Sequence, residues 1–239
     1  ECVNPVYGRS LNPWNPERTP GGSSGGEAAI LAAGGSYLGL GNDLGGSLRV
    51  PAHFTGIFSL KPTNGLLTRR GSRGNFRGME VMLAQPGPMG HCVADLECML
   101  EVMAGDVAAI NTLEQSPVTM RKIPGTIEGM RVGLVKDDGF FQPSPGISRS
   151  VQEAARYLES QGAVVESFQV PDAEWMFRLY VGAMSADGGF QARYVLKGSR
   201  LHGAFRKLIL ATRIPGWLRP GLAWLLKLLG QRYQSVMVG

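Results

Sequence analysis

The chain has 239 residues, of which 44% are hydrophobic and 18% charged, and it carries a formal net charge of +5. This composition excludes a disordered chain, and the length is enough to bury the core of one large domain or two small ones. Three cysteines with no Cys-x-x-Cys pair exclude a disulfide framework and point to a reducing, intracellular setting.

The chain opens on Glu1-Cys2-Val3-Asn4-Pro5, with neither an initiator Met nor a secretory leader, and stops at Gln234-Ser-Val-Met-Val-Gly239 without a polar tail. The expectation is a piece of a longer protein, cut on both sides. Pro5, Pro13, Pro16 and Pro20 make the first twenty residues irregular. Ala28-Ala-Ile-Leu-Ala-Ala33 predicts a helix closed at Gly34-Gly35, and Ser36 to Leu40 a short buried strand. A loop from Gly41 to Ser47 precedes a short apolar stretch ending near Gly56. Val93, Leu96 and Leu100 share a helical face, and Cys92 and Cys98 in the same apolar run are expected to be buried packing residues. Arg131 to Val135 reads as a strand. Ser150-Val-Gln-Glu153 is a capping-box pattern opening a helix whose apolar face is Val151, Ala154, Ala155 and Leu158, with Gly162 closing it. Val164 to Val170 is the next strand. Strand, helix and strand in succession argue an α/β fold with helices packed on a sheet.

The segment Gly21 to Pro51 is the chemical signal. Its glycines come in clusters, which let backbone amides approach a ligand and form a concavity for negative charge, either a phosphate cradle or an oxyanion hole. A flexible linker would not alternate with Ala28 to Ala33 and Arg49-Val-Pro51. Three familiar motifs each fail on one residue. Gly41 to Gly46 has the spacing of a phosphate-binding loop, but Ser47 stands in place of the Lys. A dinucleotide fingerprint from Gly39 would need its third glycine at Leu44. Gly21-Gly-Ser23-Ser-Gly25 matches a nucleophile elbow, but Glu17-Arg-Thr-Pro20 before it is no strand.

The remaining pattern is Gly21-Gly-Ser-Ser-Gly-Gly26 followed by Gly41-Asn-Asp-Leu-Gly-Gly-Ser-Leu-Arg-Val-Pro51, with Ser47 placed 24 residues after Ser23. It resembles the amidase signature family. Asn12-Pro-Trp14 and Gly87-Pro-Met89 add to the likeness, which covers most of residues 4 to 190. Met184-Ser-Ala-Asp-Gly188 and the tail resemble the fatty-acid-amide-hydrolase branch. The resemblance implies an α/β fold, a mixed twisted β-sheet core flanked by helices, incomplete in this chain. Residues 1–200 would be the central part of that domain. Residues 201–239 would be a basic amphipathic helical segment and membrane cap within the same domain.

Carried over residue by residue, the resemblance makes Ser47 the nucleophile and Ser23, placed after a cis peptide, the proton relay. The backbone amides of Leu44, Gly45, Gly46 and Ser47 would form the oxyanion hole. Asp43 and Arg49 would hold that loop, and Ser24 would support it by hydrogen bonding. The family's base is a lysine upstream of the first cluster, completing a Ser-Ser-Lys triad. The first lysine here is Lys61, fourteen residues beyond Ser47. A serine needs a base, so residues 1–239 alone are expected to be inactive although the whole protein is an amidase. His53, six residues after Ser47, falls on the opposite face of any helix the two would share, and His53, His91 and His202 are expected to be packing or surface residues. No ligand spacing suggests a metal, and no cofactor is implied.

Nine Lys or Arg and no acid follow Asp187, so residues 1–187 are net negative and the tail is basic. Arg213, Pro215, Arg219, Pro220 and Lys227 interrupt any apolar run long enough to span a bilayer. Leu218, Leu222, Leu225 and Leu229, flanked by Trp217 and Trp224, form the apolar stripe of a basic helix. That suits either docking on protein, including a homo-oligomer, or peripheral membrane contact, and nucleic acid is not expected. The expected substrate is a small-molecule, lipophilic amide, and the expected location intracellular, cytoplasmic or peripheral to a membrane. The alternatives are the amidase subunit of a glutamine-dependent amidotransferase and a non-catalytic relative that keeps the fold.

Overall fold

Pro13, Pro16 and Pro20 deny residues 11–20 a regular strand or helix, and side chains help to tie them down. The computed structural model describes residues 2–4, 6–72, 82–105, 125–198, 209–210 and 212–238. The chain divides into two compact units, residues 1–120 and 121–239. In the first, β1 (Val3–Asn4) and β2 (Gly8–Arg9) pair antiparallel, and Asn4 Oδ1 closes their turn by accepting from Val6 N at 3.0 Å and Tyr7 N at 2.8 Å. Asn12 is buried. Its amide nitrogen donates to Thr19 O at 3.2 Å and Phe54 O at 2.9 Å, and the Trp14 indole donates to Thr55 O at 2.7 Å.

Helix α1 (Gly25–Ala32) buries Ala28 and Leu31 and ends at Gly34 with φ +74°, as its composition predicts. The following strand differs from the expectation. β3 runs Leu38–Asp43, two residues later than predicted and into the glycine loop, because β5 (Gln85–Gly90) pairs with it along its whole length. Gly39 and Asp43 turn inward while Leu38 and Leu40 are exposed, so β3 is half-buried rather than buried. Helix α2 (Arg49–Thr55) and β4 (Phe58–Ser59) follow, giving an antiparallel sheet of order β3-β5-β4. Proline is tolerated in the middle strand because a residue's N–H and C=O point the same way. Pro88 O accepts from Leu60 N at 3.0 Å, so its missing donor faces the side where β4 is only two residues long.

At Gly87 a Cβ would lie 2.1 Å from the backbone oxygen of Leu60. Gly87→Ala is therefore expected to destabilise the first unit by about 3 kcal/mol, read as a lower urea midpoint with unchanged slope. The buried Gln85 side chain accepts from Gly65 N at 2.8 Å and donates to Leu67 O at 3.3 Å, fixing the loop after β4 to β5. Helix α3 (Val93–Ala104) buries Leu96, Leu100 and Ala104, whereas Val93 at its first turn is exposed. Cys92 and Cys98, expected inside, are both exposed. Cys92 precedes the helix, and Cys98 sits two positions from both Leu96 and Leu100, which turns it to the far side.

In the second unit β6 (Arg131–Leu134) and β7 (Val164–Ser167) are parallel and joined through α4 (Pro145–Ser160), the strand-helix-strand unit read from the sequence. The helix starts earlier than its capping-box pattern suggested. Ser144 is the N-cap, accepting from Ile147 N at 3.4 Å with Pro145 at the first position, and Ser150 lies inside the helix donating to Gly146 O at 3.1 Å. Ala155 is buried but Ala154 is exposed. Helices α5 (Ala173–Met184), α6 (Phe190–Val195), α7 (Arg219–Leu228) and α8 (Arg232–Val238) follow among the described residues. Phe140, Phe141, Phe177 and Tyr233 cluster between α5 and α8. Arg178 at 2.8 Å and Arg232 at 3.1 Å hold the Glu174 carboxyl below its usual range. The architecture is α/β, with antiparallel pairing in one unit and parallel pairing in the other.

Candidate active site

The two glycine/serine loops meet at one backbone hydrogen bond, Ser24 N to Ser47 O at 3.1 Å. Gly21 makes the approach feasible. Its φ is +85°, and a Cβ there would sit 3.0 Å from Pro51 Cα, so any side chain would push the first loop off the start of α2. The Gly22–Ser23 peptide bond is cis, as the resemblance implies. Ser23 is exposed and Ser47 partly buried.

Asp43 organises the second loop. Its carboxylate is buried at the end of β3 and collects donors from the turn that follows. Oδ1 accepts from Gly46 N at 2.7 Å and Arg49 Nη2 at 3.0 Å, and Oδ2 accepts from Leu48 N at 3.1 Å, Arg49 N at 3.4 Å and Arg49 Nε at 3.0 Å. Burial by itself would raise the Asp43 pKa. The Arg49 fork and the Gly46 and Leu48 amides together outweigh it and lower the pKa to about 2. The loop is thus wound around an anion, with Ser47 at its crest between Gly46 and Leu48.

Among the described residues, the amides of Leu44, Gly45 and Ser47 donate to no group, whereas the Gly46 amide is taken by Asp43. A set of unpartnered N–H groups beside a serine hydroxyl can hold a developing oxyanion. Ser24, the N-cap of α1, does not cap it. Its hydroxyl instead accepts from Asn42 N at 3.4 Å, joining the first loop to β3.

Two residues at this site escaped the sequence reading. Asn42 has a buried side-chain oxygen without a hydrogen-bond partner among the described residues. The Cys2 thiol donates to Ser23 O at 3.0 Å and accepts from Gly25 N at 3.3 Å. Nothing in the sequence pairs Cys2 with Ser23, because the contact depends on how the proline-rich segment folds back. Lys61 is engaged in its own loop, donating to Pro62 O at 2.7 Å and Asn64 Oδ1 at 3.4 Å. His53 lies in α2 against Phe54, with ring centroids 5.9 Å apart, and His91 approaches Ser36 O through Nε2 at 3.1 Å. His202 lies outside the described residues. Among the described residues, no group of three His, Cys, Asp or Glu gathers to hold a metal.

In the tail, described over 209–210 and 212–238, α7 carries Leu222 and Leu225 of the predicted stripe, with Leu218 at its N-cap and Leu229 just past its end. Leu218, Leu222 and Leu225 join Leu210 and Ile214 around an open groove of about 590 Å³, with Arg213 on its wall. Trp217 and Trp224 are 79% and 66% exposed. No described helix is long and apolar enough to cross a membrane.

The family described as Amidase matches residues 1–234. Fatty-acid amide hydrolase 1 of Sus scrofa is 34% identical over 95% of this chain and 40% of its own length. A glutamyl-tRNA(Gln) amidotransferase subunit of Methanosarcina acetivorans is 34% identical over 88% of this chain and 44% of its own length. A solved fatty acid amide hydrolase structure superposes with a TM-score of 0.76 at 26% identity, covering 96% of this chain and 44% of that one. The chain therefore spans about two fifths of the length of the relatives it matches.

Proposed function

This chain belongs to the Amidase family, and from that premise we propose that the protein hydrolyses a carboxylic amide through an acyl-enzyme on Ser47. The observation that supports it most is the Asp43-centred loop, which fixes Ser47 while leaving the amides of Leu44, Gly45 and Ser47 unpartnered among the described residues. In this reading Ser47 Oγ attacks the amide carbonyl, and those amides hold the oxygen as it gains charge. Gly46 N–H keeps the loop closed on Asp43. Ser23, brought alongside by the Ser24–Ser47 bond, relays the proton from Ser47 to the base and then to the departing amine. Water then releases the acid by the reverse route. Lys61 is not the base, since its ammonium is held by Pro62 O and Asn64.

The substrate we favour is a lipophilic amide. The name of the Sus scrofa relative supports it. Within the second unit, Trp217 and Trp224 outside the apolar groove beside α7, with Arg219 and Lys227 nearby, suit peripheral contact with an anionic membrane. Removing residues 201–239 is expected to abolish flotation of the protein with anionic liposomes. Undiminished flotation would place the contact elsewhere.

The decisive measurement treats the protein at its full natural length with a fluorophosphonate and maps the adduct by mass spectrometry. The adduct is expected on Ser47. An adduct on another serine would overturn the assignment. The second reading, a component of an amidotransferase, rests on the Methanosarcina relative and predicts release of ammonia from glutamine rather than from a long-chain amide.

A further inference from the structure

Helix α1 begins at Gly25, and the first amides of a helix need a partner from outside it. Ser24 stands at the N-cap, where a serine hydroxyl ordinarily supplies one, but it makes no cap bond because it accepts from Asn42 N in β3 instead. Cys2 fills that role from another part of the chain. Its sulfur accepts from Gly25 N at 3.3 Å while its S–H donates to Ser23 O at 3.0 Å, so one thiol spans the residues on either side of Ser24. The fit is close. A Cβ on Gly25 would come within 2.9 Å of the sulfur, and Ser10 N donates to Cys2 O at 2.9 Å, fixing the thiol's own backbone to the β1–β2 hairpin.

We propose that Cys2 is a positioning residue for Ser23, setting the relay serine by gripping its carbonyl and the first amide of α1. The inference rests on the reading of Ser47 and Ser23 as nucleophile and relay. Both of the thiol's bonds are local to the Ser23–Gly25 segment, so its loss should loosen that segment without disturbing the Asp43 anchors of Ser47. The cost should therefore fall on the rate of serine acylation and not on substrate binding, because a small misplacement of a relay group acts on the chemical step. Serine at position 2 keeps one donor and two acceptor sites on a slightly shorter arm, whereas alanine has neither.

The test compares Cys2→Ala, Cys2→Ser and Ser23→Ala, each alone, and Cys2→Ala with Ser23→Ala, in the protein at its full natural length. The readouts are amide turnover and the rate of fluorophosphonate labelling. Cys2→Ala is expected to lower kcat roughly tenfold with KM unchanged, and Cys2→Ser to restore most of it. In the Ser23→Ala background, Cys2→Ala is expected to have no further effect, since a residue acting only through Ser23 cannot matter once the Ser23 hydroxyl is gone. An equal tenfold loss in both backgrounds, or none in either, overturns the role of Cys2. If Ser23→Ala itself reacts as fast as the unmodified protein, the relay reading fails instead. Should Cys2→Ala not fold, the infrared S–H stretch decides. The band lost in Cys2→Ser is expected at the lower frequency of a donating thiol, and finding it at the frequency of a free thiol overturns the proposal.

Discussion

Ser47→Ala is expected to reduce amide hydrolysis by at least about 10⁴-fold in kcat while leaving the fold and substrate affinity nearly unchanged. Losing the nucleophile of a serine hydrolase removes the covalent route altogether, and what remains is the contribution of the oxyanion donors and of binding. The substitution deletes a single oxygen. It leaves intact the backbone bond from Ser24 N to Ser47 O and the Gly46, Leu48 and Arg49 bonds to Asp43, so the loop should keep its shape. A thermal midpoint within about 2 °C of the unmodified protein, together with lost turnover, separates chemistry from folding. Retention of more than about 1% of turnover would mean that the attacking group lies elsewhere.

Asp43→Asn is expected to damage stability and activity together. Five N–H donors converge on the two carboxylate oxygens, two on Oδ1 and three on Oδ2. An amide offers one oxygen, so in either orientation its NH₂ group faces two or more donors, and the Arg49 guanidinium loses its counter-charge. Arg49 is largely exposed, so the loss of its counter-charge costs little, and the cost is that of leaving buried amide donors unsatisfied, about 1–3 kcal/mol. The part of that cost that opens the loop should appear as a fall of about 10²-fold in Ser47 acylation, because the oxyanion amides are placed only by this turn.

The same anchor gives a pH dependence of definite sign. The Asp43 pKa is lowered in the folded state to about 2, below the 3.8 of an unperturbed carboxyl. Its stabilisation is therefore complete above about pH 4 and lost as pH falls towards 2. The contribution is about 1–2 kcal/mol, less than the full linkage value because Arg49 is largely exposed and screened. Urea midpoints at pH 5 and pH 3 should differ in the unmodified protein by more than in Asp43→Asn.

Much of the candidate site was legible in the sequence because its requirements are local. Glycine clusters, a serine after Gly-Gly and an acid four residues before it mark a turn that needs positive φ, close approach and an internal anion, and all of these lie within a few residues of one another. The helices from Gly25 and Val93 and the parallel pair around α4 were legible for the same reason, through composition and period. The start of α4 was misread because Ser150 carries a capping pattern inside a helix that Ser144 and Pro145 had already begun.

The sequence by itself determined the family and the two serine loops, and the resemblance to that family implied Asp43 as an anchor within its own turn. Only the tertiary structure decided that β3 extends through Gly41 to Asp43, since that depends on a partner strand more than forty residues away. It also decided that Cys92 and Cys98 face outward, which follows from the side of α3 that Leu96 and Leu100 bury. The grip of the Cys2 thiol on Ser23 and Gly25 belongs to the same class. Backbone conformation and short-range hydrogen bonds are written in neighbouring residues, whereas a contact across 21 positions exists only once the chain has closed on itself.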